Sequence, residues 1–580
     1  MMVKPMTRND GSTWMSDMKM ANEMPSPETL AVCARTGKKG YAKCKGQRLS
    51  VMSEAYGQGN ARTTPVGVAG MLAALANSAQ ARPQRYPHLI EAISLGDGRV
   101  DPAMERPRLQ GLPLGPEGVP ASLGSKVIAA MEKTHAKGGT AYTACIVGGV
   151  STTESLNLDG SPSMSWGDIE IGNADGSRDG WLDYVWANRA VAVYVGDPTW
   201  PRADFRLVFS GVVDDIGSRA RDVLNLKLRD KLERLNAPLT ETTLGGSTDN
   251  KDRLIPVVFG EVHNIEPLLV NPATLVYQYS TGAAERLIEV RDNGAPITTY
   301  TSNLSASQFT LTAAPVGQIT CDVQGVKPSG TYRNDIGRLV QYIVQNYGPS
   351  ATRFSSGDLD ATQLAAFVAA CPQAVGRYCA DRENVLALCQ ELAASVGAQV
   401  VVTSTGLLRL IRLALPATGT PTSVTAADMD ARSLAVSERP AVKATARLGY
   451  ALNATPQTSG LAGGLPASSA SALGQAWLTV TSTDATTAST YNLDAQPPQA
   501  DTLLIDTTEA TAEADRRRDL WKTPRAIYSA TYRAHLMLVE LGDTWTLTHA
   551  RFGLAAGKTG LVVSIERDWI KGRVAVGVLA

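Results

Sequence analysis

The order of apolar and polar positions divides the chain into stretches of different texture. Up to about residue 85 there is no strand alternation; Val68–Ala81 predicts a small helix and Cys33–Gln47 a solvated basic loop that either contacts a partner or forms part of a partly ordered tail. From Leu95 to Leu123 glycine and proline are dense, as in Leu112-Pro-Leu-Gly-Pro-Glu-Gly-Val-Pro120, which predicts an extended arm. Ser125–Lys137 places Val127, Ile128 and Met131 at helical spacing and stops at Gly138-Gly139, so a helix is expected there.

Beyond Thr140 the period changes to two. Tyr142–Ile146, Met164–Ile171, Ala190–Val195, Phe205–Val213, Val223–Leu228 and Leu254–Val258 predict short strands, with more from Leu287 to Val323. Asp292-Asn-Gly-Ala295 is a hairpin signal between Ile288–Val290 and Ile297–Tyr300. Helical spacing returns in Ile336–Asn346, in Ala361–Ala370 behind an aspartate cap, and in Glu383–Val396. A hairpin is expected in Ala398–Leu413 around Ser404-Thr-Gly406, a loop or linker in Leu452–Gly474, a helix over Thr508–Trp521, and strands from Ile527 to the C-terminus. Early and late strand segments can therefore pair across the sequence, which would make the residues between them insertions into one barrel-like body. No short internal repeat is visible.

Composition narrows the function. With 580 residues, 44% hydrophobic and 19% charged, the chain can build large cores, and about 150 residues per domain predicts three or four of them. Fifty-five basic residues balance 55 acidic ones, which leaves no bulk field to hold nucleic acid or an anionic membrane. The longest apolar stretch, Val66–Ala81, is interrupted by Asn77, Ser78 and Gln80, so no membrane span is expected. The N-terminus, with Lys4, Arg8, Asp10, Asp17 and Lys19, lacks the order of a secretory signal, so folding in a cytoplasm with reduced cysteines is expected.

Candidate chemistry is sparse. Cys33, Cys44, Cys145, Cys321, Cys371, Cys379 and Cys389 form no closely spaced pair, and Cys371, Cys379 and Cys389 stand in a helical region either as ligands of a metal or cluster or, more commonly for such cysteines, as small buried hydrophobes. The five histidines (His88, His135, His263, His535, His549) have no metal-binding spacing. Asn173-Ala-Asp175-Gly176-Ser-Arg-Asp179-Gly180 could wrap calcium, but it lacks a terminal glutamate at loop spacing, and Asx turns have the same composition. Glu509 and Glu513 lie one helical turn apart ahead of Arg516, Arg517 and Arg518, the pattern of a surface ion-pair network. Trp166, Trp181, Trp186 and Trp200 fill cores or, in the alternative, form stacking platforms for a glycan. No catalytic, cofactor-binding or metal residue is assigned, and an enzyme is not expected.

Over about residues 140–580 the ordered series resembles the baseplate-hub or tail-tip hub proteins of long-tailed bacteriophages, related prophages and gene-transfer particles. The residues that carry the resemblance are Ser165-Trp-Gly-Asp-Ile-Glu-Ile-Gly-Asn-Ala-Asp-Gly176, Asp183-Tyr184, Arg189–Asp197, Phe209-Ser-Gly-Val-Val-Asp214, Leu226-Lys-Leu-Arg-Asp230 and Ile255–His263. Near the C-terminus they continue with Glu509–Arg518, Leu541-Gly-Asp543, Arg551-Phe-Gly553 and Val562–Leu579. No single run is specific; the order is. The resemblance implies that Ser165–Gly176 forms a strand, an Asx-Gly turn and a strand of a first tube-forming barrel.

Residues 1–139 depart from the family's pattern and are expected to form an irregular arm with short helices; for the rest the expectation is a mainly β fold with α+β insertions, with a first hub barrel at 140–250, an inserted β domain at 251–330, a small α+β subdomain at 331–425, and a second hub barrel at 426–580 with a linker at 452–474. The implied role is a structural virion protein assembled in the host cytoplasm, a homotrimeric hub joining a hexameric tail tube to a tip or fibre. Its channel would pass tape-measure protein and DNA, with no cofactor, and its barrel edges, Val562–Ile565 among them, would pair with neighbouring subunits. The alternatives are a host glycan- or receptor-binding tail protein and a peptidoglycan-degrading tail enzyme.

Overall fold

The computed structural model describes residues 134–580 apart from 138–139, 144, 159–164, 197–201, 416, 418, 431, 494–495 and 570. The arm, the helix at 68–81, the basic loop, Cys33, Cys44, His88 and Trp200 lie outside the described residues. So does most of the helix expected at 125–137, and its described end is a strand. There β1 (Thr134–Lys137) runs antiparallel to β2 (Thr140–Thr143), with Lys137 opposite Thr140. The Gly-Gly link is a hairpin signal, and Thr134, Thr140, Tyr142 and Thr143 favour strands. Together they outweigh three helically spaced apolar residues upstream.

The next strands follow the alternation. β3 (Ile146–Ser155), β4 (Trp166–Gly172), β5 (Arg189–Val195), β6 (Arg206–Ala220) and β7 (Val223–Arg229) stand in the order β3-β4-β7-β6-β5. In β4, Gly167, Ile169 and Ile171 face inward and Trp166 faces out. Ile169, Ile171, Phe209, Leu224, Leu226 and Leu228 enclose Trp181. The segment Ser165–Gly176 differs from its implied strand-turn-strand form: a 3-10 turn at Asp179–Asp183 follows the Asx turn, and it inserts Trp181 into that core.

Two smaller sheets come next, built from β8 (Val257–Ile265), β9 (Leu268–Asn271), β10 (Val276–Gln278), β11 (Ala284–Asp292), β12 (Ala295–Ile297), β13 (Tyr300–Asn303), β14 (Gln308–Leu311), β15 (Ile319–Val326) and β16 (Gly376–Cys379). Their orders are β12-β11-β15-β8-β16 and β13-β14-β10-β9. Asn293 and Gly294 turn β11 into β12 with φ of 49° and 80°, the left-handed pair a two-residue hairpin demands.

Helices α1 (Ile336–Asn346), α2 (Ala361–Ala370) and α3 (Val385–Ala394) are capped by Asp335, Asp360 and Asn384, whose side chains accept the N–H of Arg338, Gln363 and Ala387. Ile336, Leu339, Val340 and Ile343 form the buried stripe of α1, and the core they enter also holds the hairpin β17 (Ala398–Val402) and β18 (Leu408–Arg412).

The C-terminal part comprises β19 (Thr422–Thr425), β20 (Ala435–Glu438), β21 (Thr445–Tyr450), β22 (Leu478–Thr483), β23 (Ala500–Asp501), β24 (Ile527–Arg533), β25 (Thr544–Thr548), β26 (Lys558–Asp568) and β27 (Arg573–Leu579). Its helices are α4 (Ala467–Gly474), α5 (Ala485–Tyr491) and α6 (Thr507–Trp521). The expected linker at 452–474 thus ends in a short helix, where Ala467, Ala470 and Ala472 supply helix propensity.

β26 joins the two ends of the described chain. Its Ser564–Asp568 pair antiparallel with Ser155–Ser151 of β3. The result is one eleven-stranded sheet with the path β20-β24-β27-β26-β3-β4-β7-β6-β5, to which β19 and β25 attach through β26. Everything between β7 and β19 is chain inserted into that sheet, as the order of strand patterns suggests. Among the described residues the strands close into no barrel: the path ends in β5 and β20, which are not neighbours.

Candidate assembly interface

The large sheet ends in the β5–β6 ribbon. β6 is 15 residues long; its Val212–Ala220 half pairs with β7, whereas Arg206–Gly211 has β5 as its strand partner and is held on the other side by the Ser210 N–H, which donates to the Ser404 carbonyl of the β17–β18 hairpin. At the tip of this ribbon Tyr194 and Val195 are 41% and 43% exposed. More exposed apolar side chains flank the same core: Ile146 and Val147 at the start of β3, and Leu182 and Val185 beside the buried Trp181. Their chain neighbours Cys145, Tyr184, Trp186 and Val193 pack half-buried against that core. Exposed apolar groups in such number around one small core mark a surface suited to be covered by further protein, of this chain or of a neighbour.

The outer face of β4, β7 and β6 is polar and internally neutralised. Arg219 meets Asp168 at 3.0 Å, Lys227 meets Asp215 at 3.4 Å and Arg229 meets Asp214 at 3.6 Å, while Asn225 donates to Asp168. These basic groups each face an aspartate, so they offer little to a phosphate backbone.

The residues singled out from the sequence fall into place differently. Asn173 Oδ1 accepts from the Arg178 N–H at 2.8 Å, its amide donates to Asp179, and Asp175 Oδ1 accepts from the N–H and hydroxyl of Ser177. These oxygens close a turn, with Gly176 at φ 64°, and do not converge on a centre. Cys371, Cys379 and Cys389 are buried in the helical core, where desolvation pushes each thiol up. Among the described residues no three His, Cys, Asp or Glu side chains are grouped to hold a metal. Trp181 is buried with its ring centre 5.5 Å from that of the tilted Trp186, whose indole N–H donates to the Trp181 carbonyl, whereas Trp166 is exposed on the outer face.

Glu513 overturns the expected surface ion-pair network. It is buried, and its carboxylate accepts from Arg412 on β18 at 2.6 Å and from Arg516 and Arg517 at 2.7 Å. The same guanidiniums donate to the carbonyls of Ala394, Ser395 and Val396 that end α3. Burial would raise the carboxyl, but the bonds and charges of the three arginines win and hold it down at about 2. Glu509 instead accepts the Ala374 N–H, so the two glutamates are not a matched acid–base pair. Val562–Ile565 corrects a second expectation: Val562, Val563 and Ile565 are buried, and β26 is flanked by β27, β25 and β3 in the middle of the sheet.

Two clusters escaped the sequence reading. Arg567, buried in β26, pairs with Glu154, buried in β3. A signal existed, since the period-two phase that sends Val563 and Ile565 inward sends Arg567 inward as well. The second is His263, set between Glu261 at 3.5 Å and Asp322 at 3.6 Å. Burial works against its proton, yet Asp322 and Glu261 raise its pKa, and Arg291 locks Asp322 from the other side at 2.6 Å. A small recess lined by His263, Glu261, Tyr378 and Leu503 lies beside it.

No family model matches the sequence, and no curated protein matches it. Solved structures do. The chain is similar to phage tail proteins. The 43 kDa tail protein of prophage MuSo2 from Shewanella oneidensis is 13% identical, with a TM-score of 0.34, over 77% of this chain and 97% of that one. A component of a native gene transfer agent virion is 13% identical, with a TM-score of 0.35, over 60% and 90%. An E. coli component of the type VI secretion system, described as structurally similar to bacteriophage T4 tail proteins, is 9% identical, with a TM-score of 0.29, over 75% and 74%.

Proposed function

We propose that the protein is a structural component of a phage-type tail tip, a hub whose copies stand side by side as a homotrimer around a channel. The observation that carries this reading is the open eleven-stranded sheet, assembled from both ends of the described chain and ending in the β5–β6 ribbon with its exposed apolar rim. Such a sheet is a segment of wall, and its terminal strands are natural places for copies to meet. In this reading β3–β7 with β19, β20 and β24–β27 form the wall, the chain between β7 and β19 is inserted into it, tail-tube proteins lie on one side and a tip or fibre on the other. The ion-paired outer face of β4, β7 and β6 suits a channel that lets tape-measure protein and DNA pass without gripping them.

Sedimentation of the double variant Tyr194→Glu and Val195→Asp tests the interface. Neither side chain belongs to a buried core, so the monomer is expected to keep its circular dichroism while its self-association weakens at least tenfold, the effect of losing about 1.4 kcal/mol. Unchanged association would place the contact elsewhere and remove the ribbon from the reading.

A further inference from the structure

The joint between β3 and β26, the pairing that turns two distant parts of the sequence into one sheet, is built on an imbalance of charge. Arg567 is fully buried, donates to the carbonyls of Met537 at 2.9 Å and of Val539, and pairs with Glu154 Oε1. A second carboxylate, Glu540, stands 3.8 Å from the same guanidinium and accepts from the N–H and hydroxyl of Ser404 at the tip of the β17–β18 hairpin. Glu154 Oε2, buried, has no hydrogen-bond partner among the described residues, and neither does the Thr152 hydroxyl two residues away on the same face. A bare carboxylate oxygen in such a place costs more than a protonated one.

β26 supplies Arg567; the loop between β24 and β25 supplies Glu540 and Asp543, the latter accepting the Glu540 N–H; the end of β7 supplies Asp230, buried and bonded to Ser165 and Leu232. On β4 the nearest charge along the strand is Asp168, already matched by Arg219. β18 supplies Arg409, whose charge bears on Asp543, so two guanidiniums face the four carboxyl groups of Glu154, Glu540, Asp543 and Asp230.

We propose that the β3–β26 joint is a proton-linked catch: Glu154 carries a proton in mildly acidic solution, and losing it leaves two carboxylates on one buried guanidinium and loosens the pairing of β3 with β26. Burial pushes the Glu154 carboxyl to about 7, further raised by Glu540 and Asp230, while Arg567 pulls it down without prevailing. The ordinary value in an unfolded chain is 4.5. The folded joint thus holds its proton where the opened chain does not, and its stability is complete below about 4.5 and lost as pH rises to about 7. Asp230, raised by burial to about 6, titrates in part of the same window but lies outside the Arg567 pair.

The test is urea unfolding of the full chain at intervals between pH 5 and 8, for the wild type and for Glu154→Gln, which keeps an acceptor for Arg567 and removes the titration. Each proton retained only by the folded state steepens the unfolding constant by about tenfold per pH unit. Glu154→Gln is expected to lose about one such decade per unit relative to the wild type. An equal pH dependence in both overturns the proposal. Should the variant fail to fold, hydrogen exchange in the wild type decides, after correction for intrinsic rates. Protection of the β26 amides facing β3 is expected to fall about tenfold more than that of the β11–β15 pair between pH 5.5 and 7, and a parallel fall in both overturns it.

Discussion

Three guanidiniums converge on Glu513, and each also reaches the carbonyl end of α3, so a single buried carboxylate holds α6, α3 and the β17–β18 hairpin together. Removing the negative charge would leave three positive groups facing one another in a largely enclosed site. Breaking a buried ion pair from one side costs about 3–5 kcal/mol, and Glu513→Gln is expected to lower unfolding stability by that order in urea titration; a loss near zero would mean that the carbonyls alone suffice. Because Glu513 is held near 2, below its ordinary 4.5, its contribution stands above pH 4.5 and is lost as pH falls toward 2. The sequence shows the i+3 and i+4 spacing from Glu513 to Arg516 and Arg517, which makes the ion pairs legible. It does not show the burial, because the covering groups, Arg412 and the end of α3, come from about a hundred residues away. The Asx turn at Asn173–Asp179 was legible as composition, and only its hydrogen bonds tell a closed turn from a cation loop.

At the scale of elements, helices and tight turns were the most readable. α1 and α2 begin and end at the residues the pattern marks, because an aspartate cap and an apolar stripe are local signals. Asp360 caps α2 and also takes a hydrogen bond from Arg409 at 2.7 Å. Asp360→Ala is therefore expected to cost about 1–2 kcal/mol, the upper part of the range for a lost cap, measurable as a lower urea midpoint with an unchanged slope; a cost near zero would show that the cap is dispensable. Strand boundaries were harder. β8 reaches Ile265, well beyond the Val258 at which alternation ends, because Gly260 sits at φ 65° where a Cβ would lie 1.8 Å from the Val375 carbonyl oxygen. That close passage of two backbones interrupts the pattern without ending the strand. The helix expected up to Lys137 is a strand at its described end, Thr134–Lys137, where a Gly-Gly hairpin signal and strand-favouring threonines act more strongly than three spaced apolar positions upstream.

For the whole molecule the decisive feature is long-range: β3 and β26 are neighbours although about four hundred residues separate them. Sequence order suggested such pairing, since strand patterns stand at both ends of the described chain with helices and small sheets between. It could not show that the strands leave an open path from β20 to β5, nor that Tyr194 and Val195 on β5 are exposed while Val562–Ile565 lies inside the sheet. In the proposed assembly this wall is completed by other copies of the same chain. The measurement that meets it most directly is mass photometry of the purified protein followed by averaging of negatively stained particles. The account predicts a mass of three chains and a ring with an open centre. A stable compact monomer at micromolar concentration, with no ring among the averages, would contradict it.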